Sequence, residues 1–170
     1  MDCPPDGSAM TLHPTRNDLP AAARTKVGAL LNQSLALALD TQLAAKQAHW
    51  NVKGPQFIAL HELFDKVYAV AAEAADELAE RSVMLGGQAQ GTLQAVAKAS
   101  TLKPYPAQIS AGVDHVRALA DRLAAFGAHL RTNIELSAGL GDADTADLYT
   151  GLSRDADKYL WFVEAHLQGR

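Results

Sequence analysis

Four long stretches of this chain set apolar side chains at the three- and four-residue intervals of an α-helix, and none alternates as a β-strand does. After the start signals Asp18 and Pro20, the first carries Val27, Leu30, Leu31, Leu35, Ala38 and Leu39 and runs towards Trp50. The second extends from about Phe57 to Leu85 with Leu60, Phe64, Val67, Tyr68, Ala71 and Leu78 inward, and Gly86-Gly87 ends it. Met84, near its end, is expected in the core. A short helix from Leu93 to Ala99, capped by Thr92, follows within a long connection from Gly86 to Pro106. Beyond the turn TLKPYP, the residues Ile109, Val113, Val116, Leu119, Leu123, Phe126 and Leu130 keep helical period until Gly139 and Gly141. The last helix begins near Asp142 to Thr145 and carries Leu148, Leu152, Tyr159, Leu160, Phe162 and Val163 to the C-terminus. The pattern predicts an all-α four-helix bundle with a short extra helix between the second and third long helices.

At 170 residues the chain fits one domain, taken as 21–168, behind a mobile N-terminal tail at 1–20 that is rich in proline and poor in apolar side chains. A net charge of −4 does not suit a broadly basic nucleic-acid binder. The chain has no apolar run of the ~20 residues needed to span a bilayer, and its start lacks a basic region followed by an apolar one. The cytoplasm is therefore the expected compartment. The single cysteine, Cys3, cannot form an intrachain disulfide and reads as a tail residue without a role.

Residues 46–81 concentrate the chemistry. His61 and Asp65 stand four apart, as do Asp76 and Glu80, so each pair projects from one helix face, one turn above the other. From Asp65 to Asp76 the helix turns back to within roughly 20° of the same direction but rises ~16 Å. Metal bonds of ~2 Å cannot close that gap, so these are two half-sites rather than one site. An antiparallel second copy, crossing about a two-fold axis near Val70 and Ala71, would bring its Asp76 and Glu80 opposite the first copy's His61 and Asp65. That arrangement gives two sites per dimer, roughly 22 Å apart. The small side chains of AVAAEAA suit the close approach. His49, before the Lys53-Gly54-Pro55 break, adds a further imidazole through a tight helix–turn–helix. Two imidazoles, three carboxylates and no thiolate suit iron(II) or manganese. Isolated acids also occur as a solvated helix face and a histidine beside Trp50 as a packed residue, so spacing alone leaves both readings open.

The AHWN segment at 48–51, the H-x-x-x-D of His61 and Asp65, and the D-x-x-x-E-R of Asp76, Glu80 and Arg81 together resemble the signature of the Dps family of ferritin-like mini-ferritins. The resemblance continues through LGG at 85–87, GT at 91–92, LKPYP at 102–106, DTAD at 144–147 and SRDADKYLWFVEAHL at 153–167, covering about 25–167. It implies a ferritin-like bundle in which His49, His61, Asp65, Asp76 and Glu80 bind iron at a ferroxidase site shared between subunits. It further implies hydrogen peroxide as oxidant, ferric mineral stored in a hollow twelve-subunit shell, and protection against oxidative stress. Ordinary ferritins hold metal within one bundle by E-x-x-H pairs, and this chain has no E-x-x-H, which independently favours the shared site. Lys46 and Arg81 are candidates to pair with the acids from behind the ligands. Trp50 is placed either to pack on the site and intercept stray oxidising equivalents or to serve as a core aromatic.

Glu62, next to His61, is a candidate for mineral nucleation or a solvated glutamate. Asp142, Asp144 and Asp147 suit helix capping, and in the family acids of this region line three-fold pores for iron entry. His115, His129 and His166, without matched acids, read as structural or exposed, and the internal methionines Met10 and Met84 give little support to haem ligation. Family members often bind DNA through a basic tail, but here Arg16 stands against Asp2, Asp6 and Asp18, for a net charge of −2 over residues 1–20. Twelve such tails would repel a duplex; Arg24, Lys26 and Arg170 offer modest attraction at low salt. A bundle that has lost its catalysis would show ligand substitution, and none is visible.

Overall fold

A computed structural model describes residues 12–168. Its helices are α1 (Ala21–Asn51), α2 (Phe57–Met84), α3 (Leu93–Ala99), α4 (Gly112–Gly139) and α5 (Ala143–Glu164). Together α1, α2, α4 and α5 form a ferritin-like four-helix bundle, with the short α3 in the connection between the second and third long helices. The expected tail residue Cys3 and the terminal Arg170 lie outside the described residues, as do Asp2, Asp6 and Met10. No helix among the described residues is long and apolar enough to cross a membrane.

Helices α1 and α2 pack antiparallel, as α4 and α5 do, and the apolar stripes meet in two core clusters. One gathers Val27, Leu31, Leu78, Phe126, Leu130 and Tyr149, and the other Val52, Leu60, Phe64, Val116, Leu119 and Val163. The second cluster lies at the end where α1 turns into α2, beneath the two site histidines. α4 begins later than the apolar period implies: Ile109 precedes it, because Lys53 and Ala111 form a lone parallel bridge that holds this stretch extended. Gly112 N–H donates to the Lys53 carbonyl (3.1 Å) and Lys53 N–H to the Ser110 carbonyl (2.8 Å). α5 ends at Glu164, leaving His166 in the turn that follows. Met84 is a second correction, being 57% exposed: it falls on the side of α2 away from the core.

Polar side chains of α1 and α4 fasten the long connection to the bundle. Asn32 donates to the Gln88 carbonyl (3.0 Å) and accepts from Gln90 N–H (2.9 Å), while Gln33 donates to the Ala99 carbonyl (2.8 Å). Asp40 accepts from Ser100 (2.5 Å) and faces the buried Arg122 at 2.9 Å, and Arg122 also donates to the Lys103 carbonyl (2.6 Å). Thr92 caps α3 as expected, accepting from Ala95 N–H (3.3 Å).

The segment at 12–20, assigned to the tail from sequence, touches the bundle: Leu19 packs against the first core cluster, and His13 N–H donates to the Gly86 carbonyl (2.7 Å). Gly86 has φ +85°, and a Cβ there would lie 2.6 Å from the His13 carbonyl oxygen. Gly86→Ala should therefore cost about 1–3 kcal/mol through left-handed backbone strain and loss of this strap. Thermal unfolding measures the cost, and an unchanged midpoint would show that the strap yields freely.

Candidate metal site

α1 runs out at Asn51, Val52 continues in extended backbone, and Gly54, at φ +117°, reverses the chain so that α2 starts at Phe57. This short turn sets His49, in the last turn of α1, against His61, in the second turn of α2. Their rings stack with centroids 3.6 Å apart and planes 21° from parallel. The contact is reciprocal: His49 Nδ1 lies 2.8 Å from the His61 carbonyl, and His61 Nδ1 lies 2.8 Å from the His49 carbonyl. A carbonyl only accepts, so each Nδ1 carries a proton and donates, which leaves Nε2 as the nitrogen of each ring not engaged by the backbone. One of these bonds also satisfies a carbonyl in the last turn of α1, where helix geometry leaves carbonyls without partners.

Asp65 sits one turn beyond His61, half exposed, and is paired with Lys46 of α1. That hydrogen bond, with weaker help from the charges of Lys46, His49 and His61, holds the Asp65 carboxyl below its usual range. Lys46 also lies 4.5 Å above the Tyr68 ring, so its ammonium is positioned by two neighbours. The expected pairing of Lys46 with a site acid is thus present. Phe57 flanks His61 with ring centroids 5.2 Å apart.

Asp76 and Glu80 project from α2 well beyond this patch, exposed and without an ion pair among the described residues. No group of three or more His, Cys, Asp or Glu residues is arranged to hold a metal among the described residues of one chain. The five ligand candidates therefore stand as two separated groups: His49, His61 and Asp65 together, and Asp76 with Glu80 apart from them.

Arg81 differs from expectation, Asp142 takes the capping reading given for it, and Trp50 loses the core reading. Arg81 does not pair with Asp76 or Glu80: it donates through Nε to Thr145 Oγ1 (2.8 Å) and through a terminal nitrogen to Asp142 Oδ1 (2.7 Å). It points towards α5, about 100° round α2 from Glu80. Asp142, counted with the pore acids, is 2% exposed and caps α5 by accepting from Thr145 N–H (3.0 Å), so it is committed to structure. Asp144 and Asp147 remain exposed, as does Glu62. Trp50 is 68% exposed, so it is not a core aromatic of this chain, because the end of α1 turns its side chain outward.

The sequence pattern did not reveal the roles of His115, His129, Tyr105 or Tyr149. Tyr105 bonds His115 (2.7 Å), and Tyr149 bonds Ser34 (3.0 Å), which bonds His129 (2.8 Å). The one sequence signal for His115, His129 and Tyr149 is a polar side chain among apolar-periodic neighbours, whereas Tyr105 stands in the turn TLKPYP.

The ferritin-like domain family matches residues 28–169. The chain is 49% identical over 159 residues to the DNA protection during starvation protein of Agrobacterium fabrum, covering 94% of this chain and 98% of that protein. Among solved structures, Mycobacterium smegmatis Dps superposes with a TM-score of 0.88 at 32% identity, covering 92% of this chain and 96% of that one. DpsA14 from Streptomyces coelicolor gives 0.88 at 34% identity, covering 95% and 96%. On this family match, identity and superposition, this chain belongs to the Dps family of ferritin-like proteins.

Proposed function

We propose that the protein oxidises iron(II) at sites shared between two copies of the chain and stores the ferric product within a hollow assembly. Membership of the family supports a general role in iron storage and oxidation. The observation that carries the finer reading is the reciprocal His49–His61 pair, which occupies both Nδ1 atoms and leaves both Nε2 atoms available beside the Asp65 carboxylate. Imidazole suits iron(II) and carboxylate suits iron(III), so this donor set accepts the metal before and after oxidation.

A two-fold antiparallel crossing between Val70 and Ala71 would supply the remaining ligands. About that centre, His61 falls opposite Glu80 of the partner subunit, Asp65 opposite Asp76, Ala69 opposite Ala72, and Ile58 opposite Val83. By helical period all of these lie on one sector of α2, where Ile58 and Val83 are exposed apolar residues beyond the ligands at either end. The face is thus self-complementary: apolar ends, ligands inside them, and small residues at the crossing.

Hydrogen peroxide is the oxidant this reading assigns: two iron(II) ions give one electron each, and with two protons one peroxide becomes two waters. The residues bind and orient the iron, while Lys46 holds Asp65 in place until it is engaged. Asp144 and Asp147, exposed in the first turns of α5, are assigned to iron entry, and Glu62 to nucleation in a twelve-subunit shell. The acidic balance of the tail speaks against DNA condensation as the main role.

Complementation tests the sharing. A His61→Ala/Asp65→Ala variant mixed with an Asp76→Ala/Glu80→Ala variant, dissociated and reassembled, should regain roughly a quarter of the native oxidation rate, since half the dimers are hybrids with one intact site. No recovery despite confirmed hybrids would assign all ligands to one chain.

A further inference from the structure

Tyr105 lies on the connection leading into α4, between Pro104 and Pro106, whose rings restrict the backbone around it. Its hydroxyl is 2.7 Å from His115 Nδ1, and the two rings are nearly parallel, 18° apart with centroids at 6.1 Å. His115 is 1% exposed, and its Nε2 has no hydrogen-bond partner. Burial holds the His115 pKa below the usual imidazole range, offset only in part by the Ile109 backbone and Asp114, so the ring is neutral at pH 7. Burial likewise pushes the Tyr105 phenol up, so it keeps its proton. Between a neutral phenol and a neutral imidazole, the phenol is the better donor and the imidazole the better acceptor.

A core that needed only packing would be served by Phe and Leu at these positions. What the pair adds is a preset route for a proton. A phenol that loses an electron becomes a strong acid, and its oxidation is easy only where a base already accepts its hydrogen bond. The His115 ring centroid is 6.2 Å from that of Phe64, and Phe64 immediately precedes Asp65 on α2. Tyr149, by contrast, reaches His129 only through the intervening Ser34 and Asn133, and packs in the other core cluster.

We propose that Tyr105 is a one-electron oxidation site, with His115 as the base that takes its proton, and that it disarms oxygen radicals escaping the iron reaction. The radical source rests on the iron(II)–peroxide reading above. A hydroxyl radical takes one electron from the phenol and becomes hydroxide. The Tyr105 O–H bond breaks and a bond from the proton to His115 Nδ1 forms, leaving a neutral phenoxyl and an imidazolium. An iron(II) ion then returns the electron, becoming iron(III), and the proton goes back to Tyr105. The net change converts hydroxyl radical, iron(II) and a proton from solvent to water and iron(III).

The test uses the full-length, iron-free protein with a photogenerated ruthenium(III) complex as one-electron oxidant, followed by transient absorption and electron paramagnetic resonance. The native protein should give a phenoxyl signal that Tyr149→Phe retains and Tyr105→Phe loses. His115→Gln keeps an acceptor but cannot hold the proton, and should slow phenoxyl formation by about a hundredfold, the scale of a positioned base. The native rate should fall in D2O, a readout that does not depend on any variant folding. A signal that persists in Tyr105→Phe, or a native rate unchanged in D2O, overturns the proposal. Repeating the measurement with iron(II) and peroxide separates the two readings: a phenoxyl with ruthenium alone keeps the pair and counts against the metal chemistry.

Discussion

Replacing His61 and Asp65 together by alanine is expected to lower the initial rate of iron(II) oxidation by more than about a hundredfold, because residues behind metal ligands already cost 10–100-fold when lost. The two side chains supply one of the two free Nε2 donors and the carboxylate that Lys46 positions. Both lie on the outer side of α2, while its core contacts run through Leu60, Leu63, Phe64 and Val67, so the bundle should persist. The structural cost is one hydrogen bond to the His49 carbonyl, about 1 kcal/mol, and one solvent-screened ion pair. Stopped-flow absorbance of the ferric product, with peroxide as oxidant, reads the rate, and size-exclusion chromatography with circular dichroism checks assembly and helix content. A native rate in a correctly assembled variant removes these residues from the site.

The sequence carried the bundle because helical period is written redundantly. α1 alone buries Val27, Leu31, Leu35 and Ala38 of the stripe read from it, so one ambiguous residue changes nothing. The capping of α3 was legible for a similar reason, since Thr92 preceding a short apolar-periodic run has few other uses. Positions near helix ends were less so. Met84 looked like core because it is apolar and near the helix C-terminus, but six residues past the buried Leu78 the helix has turned it about 120° away from the core. Arg81 was the harder case. It follows Glu80 in the motif, yet one residue turns it about 100° away, towards Asp142 on α5. The reciprocal His49–His61 bonds were beyond sequence altogether, because they depend on how tightly Gly54 folds α2 back on α1. Arg122 was the missed opportunity: a cation between Leu119, Leu123 and Phe126 sits where only a paired charge can stay, and its partner is Asp40.

The Arg81–Asp142 pair leads to the other large expected effect, on stability rather than rate. Asp142 uses one carboxylate oxygen to cap α5 through Thr145 N–H (3.0 Å) and to accept from Arg81 (2.7 Å), and the other to accept from the Thr145 hydroxyl (2.6 Å). Asp142→Ala removes a helix cap, worth about 1 kcal/mol, and leaves the Arg81 guanidinium largely buried without its carboxylate. Breaking such a pair from one side costs about 3–5 kcal/mol when burial is complete. Arg81 keeps some exposure, and Asp144, 3.9 Å away, can take up part of its charge, so a total of about 3 kcal/mol is expected. The unfolding midpoint should fall by roughly 6–12 °C for a chain of this size. Asp142→Asn separates the contributions: it retains an oxygen for the cap and removes the charge, so it should recover the cap's share and no more. Arg81→Met with Asp142→Asn removes both charges while keeping the cap, and should be more stable than Asp142→Ala, because no guanidinium is left unpaired. If the double variant instead melts lower than Asp142→Ala, the pair holds α5 by attraction rather than by mutual cancellation of buried charge.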